Sequence, residues 1–251
     1  MNKQDNYEKF IDYIEHELLT GQLKIGDRLP PERKLSEELQ ISRGAVRFGL
    51  AVLHAIGVIA SKQGSGNYIN GAFDHKLTQI MTMMFALEDM DQREILGFRY
   101  AAEQEALILT VHTATDTQKT MLNHHLSLLL SAEDPAVQSY HDKMLHQIIV
   151  EASGNRLVIA QYMALNKFLD TVIRDVRDKT GDRGLEYFEQ LEDAHRTLIE
   201  GICDGRYEKA KMALDEHYDV LMNTINLTPL SSIFALQSRA VKKPDHKQSQ
   251  K

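Results

Sequence analysis

The chain has 251 residues, a formal charge of −7, 43% hydrophobic and 26% charged residues, and a single cysteine. That length suits two domains with ample apolar content for a core, and the acidic excess excludes indiscriminate polyanion binding by the whole molecule, so DNA affinity must come from a local patch. Cys203 alone forms no intrachain disulfide, no apolar run approaches the roughly 18 residues of a membrane helix, and the opening MNKQDNYEKF has no signal-peptide core, so a soluble cytoplasmic protein with no membrane partner is expected.

In chain order, Tyr7 to Thr20 carries Phe10, Ile14 and Leu18 at four-residue spacing with Gly21 as a stop, which predicts a first amphipathic helix. Pro31 lacks the N–H that a first helical turn leaves unpaired, and Leu35 and Leu39 lie one turn apart, so a second helix is expected over Glu32 to Leu39. After Gln40 and Ile41, Ser42 is a good N-cap, Val46, Leu50 and Leu53 form an apolar stripe, and Gly57 supplies a left-handed stop. Val58 to Lys62 and Asn67 to Asn70 are strand-like runs around Gln63-Gly64-Ser65-Gly66, where glycine permits the positive φ of a tight hairpin. Helices followed by a glycine-tipped hairpin read as a winged helix-turn-helix over residues 1–70. Arg43 and Arg47 sit four apart at the start of the third helix, the end that recognition helices present to base edges. An arginine pair is equally the mark of a solvated face, but from Lys24 to Lys62 seven basic residues stand against four acidic ones.

Residues 71–75 read as a connector too short for a free tether. From Lys76 the pattern is helical, and breaks at Glu88 to Asp91, Thr113 to Asp116, Ser131 to Pro135, Ser153 to Asn155, Lys179 to Gly184 and Asp204-Gly205 divide it into about seven helices, with caps such as Asp116. An antiparallel all-α bundle over 76–228 is expected. Leu77, Ile80, Met81 and Met84 make a stripe suited to core or dimer contact, and Cys203 reads as a buried small apolar residue. The basic tail, 229–251, is expected to be partly disordered.

Within the bundle, Asp142 and His146 lie four apart and project from one helix face, while His195 and His217 each have apolar neighbours at helical spacing and so fall near inward faces. Three imidazoles and a carboxylate suit Zn²⁺, and also Mn²⁺, Ni²⁺ or Fe²⁺. The same residues also fit a surface Asp/His pair and two core histidines.

The motif G-x-L-x-x-G-D-x-L-P-x-E-R-x-L at Gly21 to Leu35 and S-R-x-x-V-R at Ser42 to Arg47 resemble the DNA-binding domain of the GntR family of bacterial transcription regulators. The resemblance implies that Arg33, Arg43, Arg47 and Gly64 contact double-stranded operator DNA. Phe48-Gly49 departs from the family's usual Glu-Ala, and a glycine there costs ~1 kcal/mol relative to alanine, predicting a locally softer helix.

The second half resembles the ligand-binding domain of the FadR subfamily, through D-x-x-x-H at Asp142 to His146, Gly154-Asn155, and His195 and His217 flanking the turn at Gly205. By that likeness Asp142, His146, His195 and His217 hold a divalent metal. Arg99, which precedes Glu103 and Ala106 in the family's entry motif, holds an acidic effector beside it. The implied protein is a homodimeric regulator responding to a small organic acid, without enzymatic activity. The rivals are a metal-free regulator responding to a fatty-acyl thioester and, on the chemistry of the ligand set, a metal-dependent hydrolase.

Overall fold

The computed structural model describes residues 3–71, 73–165 and 185–223, and the chain divides into two units, Met1–Ile80 and Met81–Lys251. The described residues form ten helices and one two-stranded sheet. The break expected at Lys179 to Gly184 and the tail at 229–251 lie outside the described residues.

The first unit contains α1 (Lys3–Leu19), α2 (Glu32–Leu39), α3 (Arg43–Ala55), β1 (Ile59–Lys62) and β2 (Gly66–Ile69). Phe10 and Ile14 of α1, Leu35 of α2, and Val46, Leu50 and Leu53 of α3 bury against one another, with Ile59 and Ile69 closing the core beneath the hairpin. The turn between α2 and α3 places Gln40 in the left-handed region at φ 53°, and Ser36 Oγ donates to the Ile41 carbonyl at 2.6 Å. Ser42 caps α3 by accepting from the Ala45 N–H at 3.1 Å. Gly57, at φ 87°, lets the chain leave the helix. The strands pair antiparallel from Ile59↔Ile69 to Lys62↔Gly66. Residues 26–29 pair along the other side of β2, through Ile69 N–H to Asp27 O at 2.8 Å and Leu29 N–H to Asn67 O at 2.9 Å. That third backbone segment was not legible as a strand.

Gly49 has a different role from the one expected. The helix is continuous through it, and a Cβ there would collide with the Phe10 ring at Cδ1. The missing side chain is the space into which α1 packs, so the propensity cost is offset by close helix contact.

After α4 (Asp74–Leu87), the bundle comprises α5 (Gln92–Thr113), α6 (Asp116–Ser131), α7 (Pro135–Ala152), α8 (described over 156–165), α9 (Leu185–Cys203) and α10 (Tyr207–Met222). Among the described helices α6 packs on α7 and α9 on α10 after short loops, whereas α5 packs on α7 and α10. Asp91 and Glu94 form a capping box on α5, and Asp134 caps α7 ahead of Pro135. The cap of α6 is Thr115, not Asp116. Thr115 has the extended backbone a cap needs and exchanges hydrogen bonds with Gln118, while Asp116 is the first helical residue and contributes its charge to the first turn. Gly201 of α9 faces Ala210 of α10 so closely that a Cβ would lie 2.7 Å from the Ala210 nitrogen. This contact sets the spacing of the two helices that carry His195 and His217.

The Leu77 to Met84 stripe is only partly core. Ile80 is 50% exposed, and Met81 and Met84 line, with Phe85, Met90 and Phe98, an apolar recess of about 270 Å³. Cys203 is half-buried rather than buried, and its Sγ accepts from the side-chain amide of Asn123 at 3.4 Å.

Candidate DNA-reading surface and buried histidine centre

Arg43 is the first residue of α3 and is exposed, as is Arg47 one turn on. Arg47 Nη2 lies 3.2 Å from Glu32 Oε2, and Arg33 Nη1 lies 3.5 Å from Glu37 Oε1, with both arginine side chains more than 70% exposed. Such surface pairs contribute little to stability, so the guanidiniums can exchange a carboxylate for a phosphate or a base edge at small cost. Gly64 stands exposed at the hairpin tip with φ 72°.

Arg28 and Lys62, counted in the basic excess but not assigned a DNA contact from the sequence, lie near this tip. Arg28 lies against Gly66, its Nε 3.3 Å from where a Cβ would be, and Lys62 Nζ sits 4.7 Å above the Tyr68 ring. Tyr68 also bonds Ser65 across the turn at 2.5 Å. Arg28 is distant in sequence from β2, and only the pairing of residues 26–29 with that strand brings it there.

In the second unit, three helices converge on one buried point. α7 supplies Asp142 and His146 at i and i+4, α9 supplies His195, and α10 supplies His217. All four are buried, and one ligand atom from each lies within 4.8 Å of all the others. His195 Nε2 is 3.1 Å and His146 Nε2 3.9 Å from Asp142 Oδ1. The imidazole centroids are 4.5 to 5.5 Å apart.

The other nitrogen of two rings is already engaged. His195 Nδ1 is 2.7 Å from the Leu191 carbonyl and His146 Nδ1 is 2.6 Å from Glu103 Oε2. The Nε2 atoms of His146, His195 and His217 make no hydrogen bond. A buried polar atom without a partner costs about 1–3 kcal/mol. Three such nitrogens beside a carboxylate therefore fit a divalent cation far better than a packed core.

The electrostatics agree. Burial, then the neighbouring His195 and His146, hold the His217 imidazole well below its usual range. Burial also lowers His146, partly offset by Glu103. Burial alone would raise the Asp142 carboxyl, but His195, His146 and Arg99 outweigh it and hold it well below the usual carboxylate range. For His146 and His217 the direction favours the neutral imidazole, and for Asp142 the ionised carboxylate, which are the states metal binding requires.

Arg99 of α5 is wholly buried at the edge of this cluster. Its Nε donates to Glu103 Oε1 at 2.8 Å and its Nη2 is 3.8 Å from Asp142 Oδ2, but neither Nη atom makes a hydrogen bond. The hydroxyls of Tyr162 and Tyr218 are likewise buried without a partner, and the Arg99 guanidinium stands 5.9 Å over the Tyr218 ring. The arrangement offers an anion a guanidinium fork and two hydroxyl donors in a low-dielectric setting.

Residues 6–69 match the family described as bacterial regulatory proteins, gntR family, and residues 94–220 match the FCD domain. The chain belongs to the GntR family, with the FCD effector-binding half of its FadR subfamily, and is a DNA-binding transcription regulator. Among its relatives is a regulatory protein assigned to the L-lactate dehydrogenase operon of Escherichia coli strain K12. It is 30% identical over 81% of this chain and 80% of that protein. The HTH-type transcriptional regulator LutR of Bacillus subtilis is 25% identical over 78% of this chain and 90% of its own length. A solved GntR structure from Streptococcus agalactiae shares the fold, with a TM-score of 0.61 at 21% identity over 87% of this chain and all of that one.

Proposed function

We propose that the protein is a cytoplasmic homodimer that binds a pseudo-palindromic operator and releases or tightens its grip when a small organic acid enters the helical domain. The DNA-reading domain is assigned to 1–70, the linker to 71–75 and the sensor and dimerisation domain to 76–228. Arg43 and Arg47 would read the major groove, with Arg33 on phosphate and Gly64 carrying the wing tip. A two-fold protein would set the half-site spacing.

The observation that carries the sensor reading is the set of unpartnered Nε2 atoms facing Asp142 beside the unpartnered fork of Arg99. Asp142, His146, His195 and His217 would hold a divalent transition metal, with zinc the first choice for this ligand set. When bound, the ion supplies a Lewis-acidic positive centre with room for a ligand oxygen. Arg99 takes the effector carboxylate through its free Nη atoms, and the Tyr162 and Tyr218 hydroxyls are placed to accept or donate to a second polar group. A relative's assignment to an L-lactate dehydrogenase operon favours a 2-hydroxycarboxylate of about lactate's size. Among the described residues no helix is long and apolar enough to cross a membrane, in keeping with a cytoplasmic location.

Elemental analysis of the purified full chain should return one zinc per protomer, and His195→Ala should return none while keeping operator affinity in the absence of effector. A thermal-shift series with L-lactate and other short organic acids should then raise the midpoint of the wild type only. Full metal content in His195→Ala, or stabilisation by a fatty-acyl thioester in metal-free protein, rejects the proposal.

A further inference from the structure

Glu103 lies at the centre of the polar core, fully buried on α5 with both carboxylate oxygens in use. Oε1 accepts from Arg99 Nε at 2.8 Å, one helical turn away, and Oε2 stands 2.6 Å from His146 Nδ1 on α7. A carboxylate that accepts from an arginine has no proton of its own to give, so His146 donates from Nδ1 and its Nε2 keeps a lone pair. The same carboxylate holds Arg99 by Nε alone, turning Nη1 and Nη2 away from Glu103 and leaving both without a hydrogen bond.

We infer that Glu103 is a positioning residue that couples the two halves of the sensor, fixing the metal-binding tautomer of His146 and the ligand-facing orientation of the Arg99 fork through one carboxylate. This rests on the reading of the four-residue cluster as a metal centre and of Arg99 as the acid-binding group. It extends that reading, because metal occupancy and acid binding then share a side chain that contacts neither ligand. A hydrogen-bonded carboxylate behind a ligating histidine orients the ring and raises its basicity, and losing such a partner weakens metal binding by about 10–100-fold. Glutamine at 103 keeps the shape but offers one acceptor oxygen and an NH₂ that faces whichever donor the oxygen does not serve. Arg99 and His146 cannot both be satisfied.

Three measurements on the full-length protein test this. In metal-free wild type, ¹⁵N spectra of labelled histidine should report His146 protonated at Nδ1 and bare at Nε2, whereas a proton on Nε2 overturns the inference whether or not metal binds. Chelator-competed zinc titration should show Glu103→Gln about 10–100-fold weaker than wild type, with L-lactate affinity of the zinc-loaded protein falling in parallel. Operator binding without acid should change less than about 2-fold, since the DNA-reading unit is untouched. A folded Glu103→Gln with wild-type zinc and lactate affinities refutes the coupling. Wild type that takes up no zinc refutes the metal-centre reading instead. Should Glu103→Gln fail to fold, Arg99→Lys provides the second variant, because it removes Nε while leaving Glu103 on His146. It should keep zinc affinity and lose lactate, and equal loss of both contradicts the proposed division of labour.

Discussion

In the proposed DNA contact Arg43 and Arg47 would do much of the reading, and their surroundings bear on how. Arg43 opens α3 beyond the Ser42 cap, at the end of the helix proposed to enter the groove, while Arg47 lies 3.2 Å from Glu32. Arg43→Ala should cost about 1–3 kcal/mol of cognate operator binding if the contact is bidentate to a base, and should relax sequence preference there. Fluorescence anisotropy at fixed salt against cognate and scrambled duplexes checks this. Equal weakening on both duplexes would assign Arg43 to phosphate, and an unchanged cognate affinity would remove it from the interface. The buried centre obeys a different logic. Burial disfavours the charged form of His146 and His217, which holds these two imidazoles toward the neutral state that metal binding requires.

Two glycines show how elements are brought to their spacing. Alanine at an interior helical position gains ~1 kcal/mol over glycine by propensity alone. At Gly49 that gain meets the Phe10 ring, and at Gly201 it meets the backbone of α10. A phenylalanine ring can rotate or shift, whereas a helix backbone moves only as a unit. Gly201→Ala is therefore expected to be the more damaging change. It should destabilise the protein by about 1–3 kcal/mol through overpacking, lower the melting midpoint, and weaken zinc binding by separating His195 from His217. Calorimetry with a zinc titration of the same variant decides this. A wild-type midpoint would mean that α9 and α10 do not approach as described.

At the scale of the whole molecule, the proposed regulator connects an acid bound in one unit to DNA bound by the other. Linkage makes that connection reciprocal. If the acid changes operator affinity by a factor in the typical range of about 5–150, operator DNA must change acid affinity by the same factor. Titrating L-lactate into zinc-loaded protein with and without saturating operator measures both arms, and an operator effect without its reciprocal would show that the acid acts elsewhere. The charge of the chain is unevenly spread, with a basic excess of seven to four between Lys24 and Lys62 and another in the tail, and the acidic remainder discourages nonspecific association.

The DNA-reading unit was legible because its signals are local: the Ser42 cap, the glycine stops, the hairpin and the arginine spacing all act within a few residues. Asp142 and His146 were legible as a pair for the same reason, since helical periodicity puts i and i+4 on one face. Apolar neighbours at helical spacing, and then the family resemblance, singled out His195 and His217, but only the packing of α7, α9 and α10 brings their Nε2 atoms together and leaves them without hydrogen bonds. Gly49 was misread because propensity is an intrahelical quantity, whereas its reason is a ring on α1. Thr115 was passed over for its neighbour because two good cap residues stand side by side, and the backbone angle decides between them. The link from Glu103 to His146 crosses two helices, although its Arg99 half sits at i,i+4 in plain view. The sequence determines elements, caps and faces through short-range sterics and periodicity. The tertiary structure decides which buried polar atoms find partners and which are left for a ligand, because that depends on how close separate helices can come.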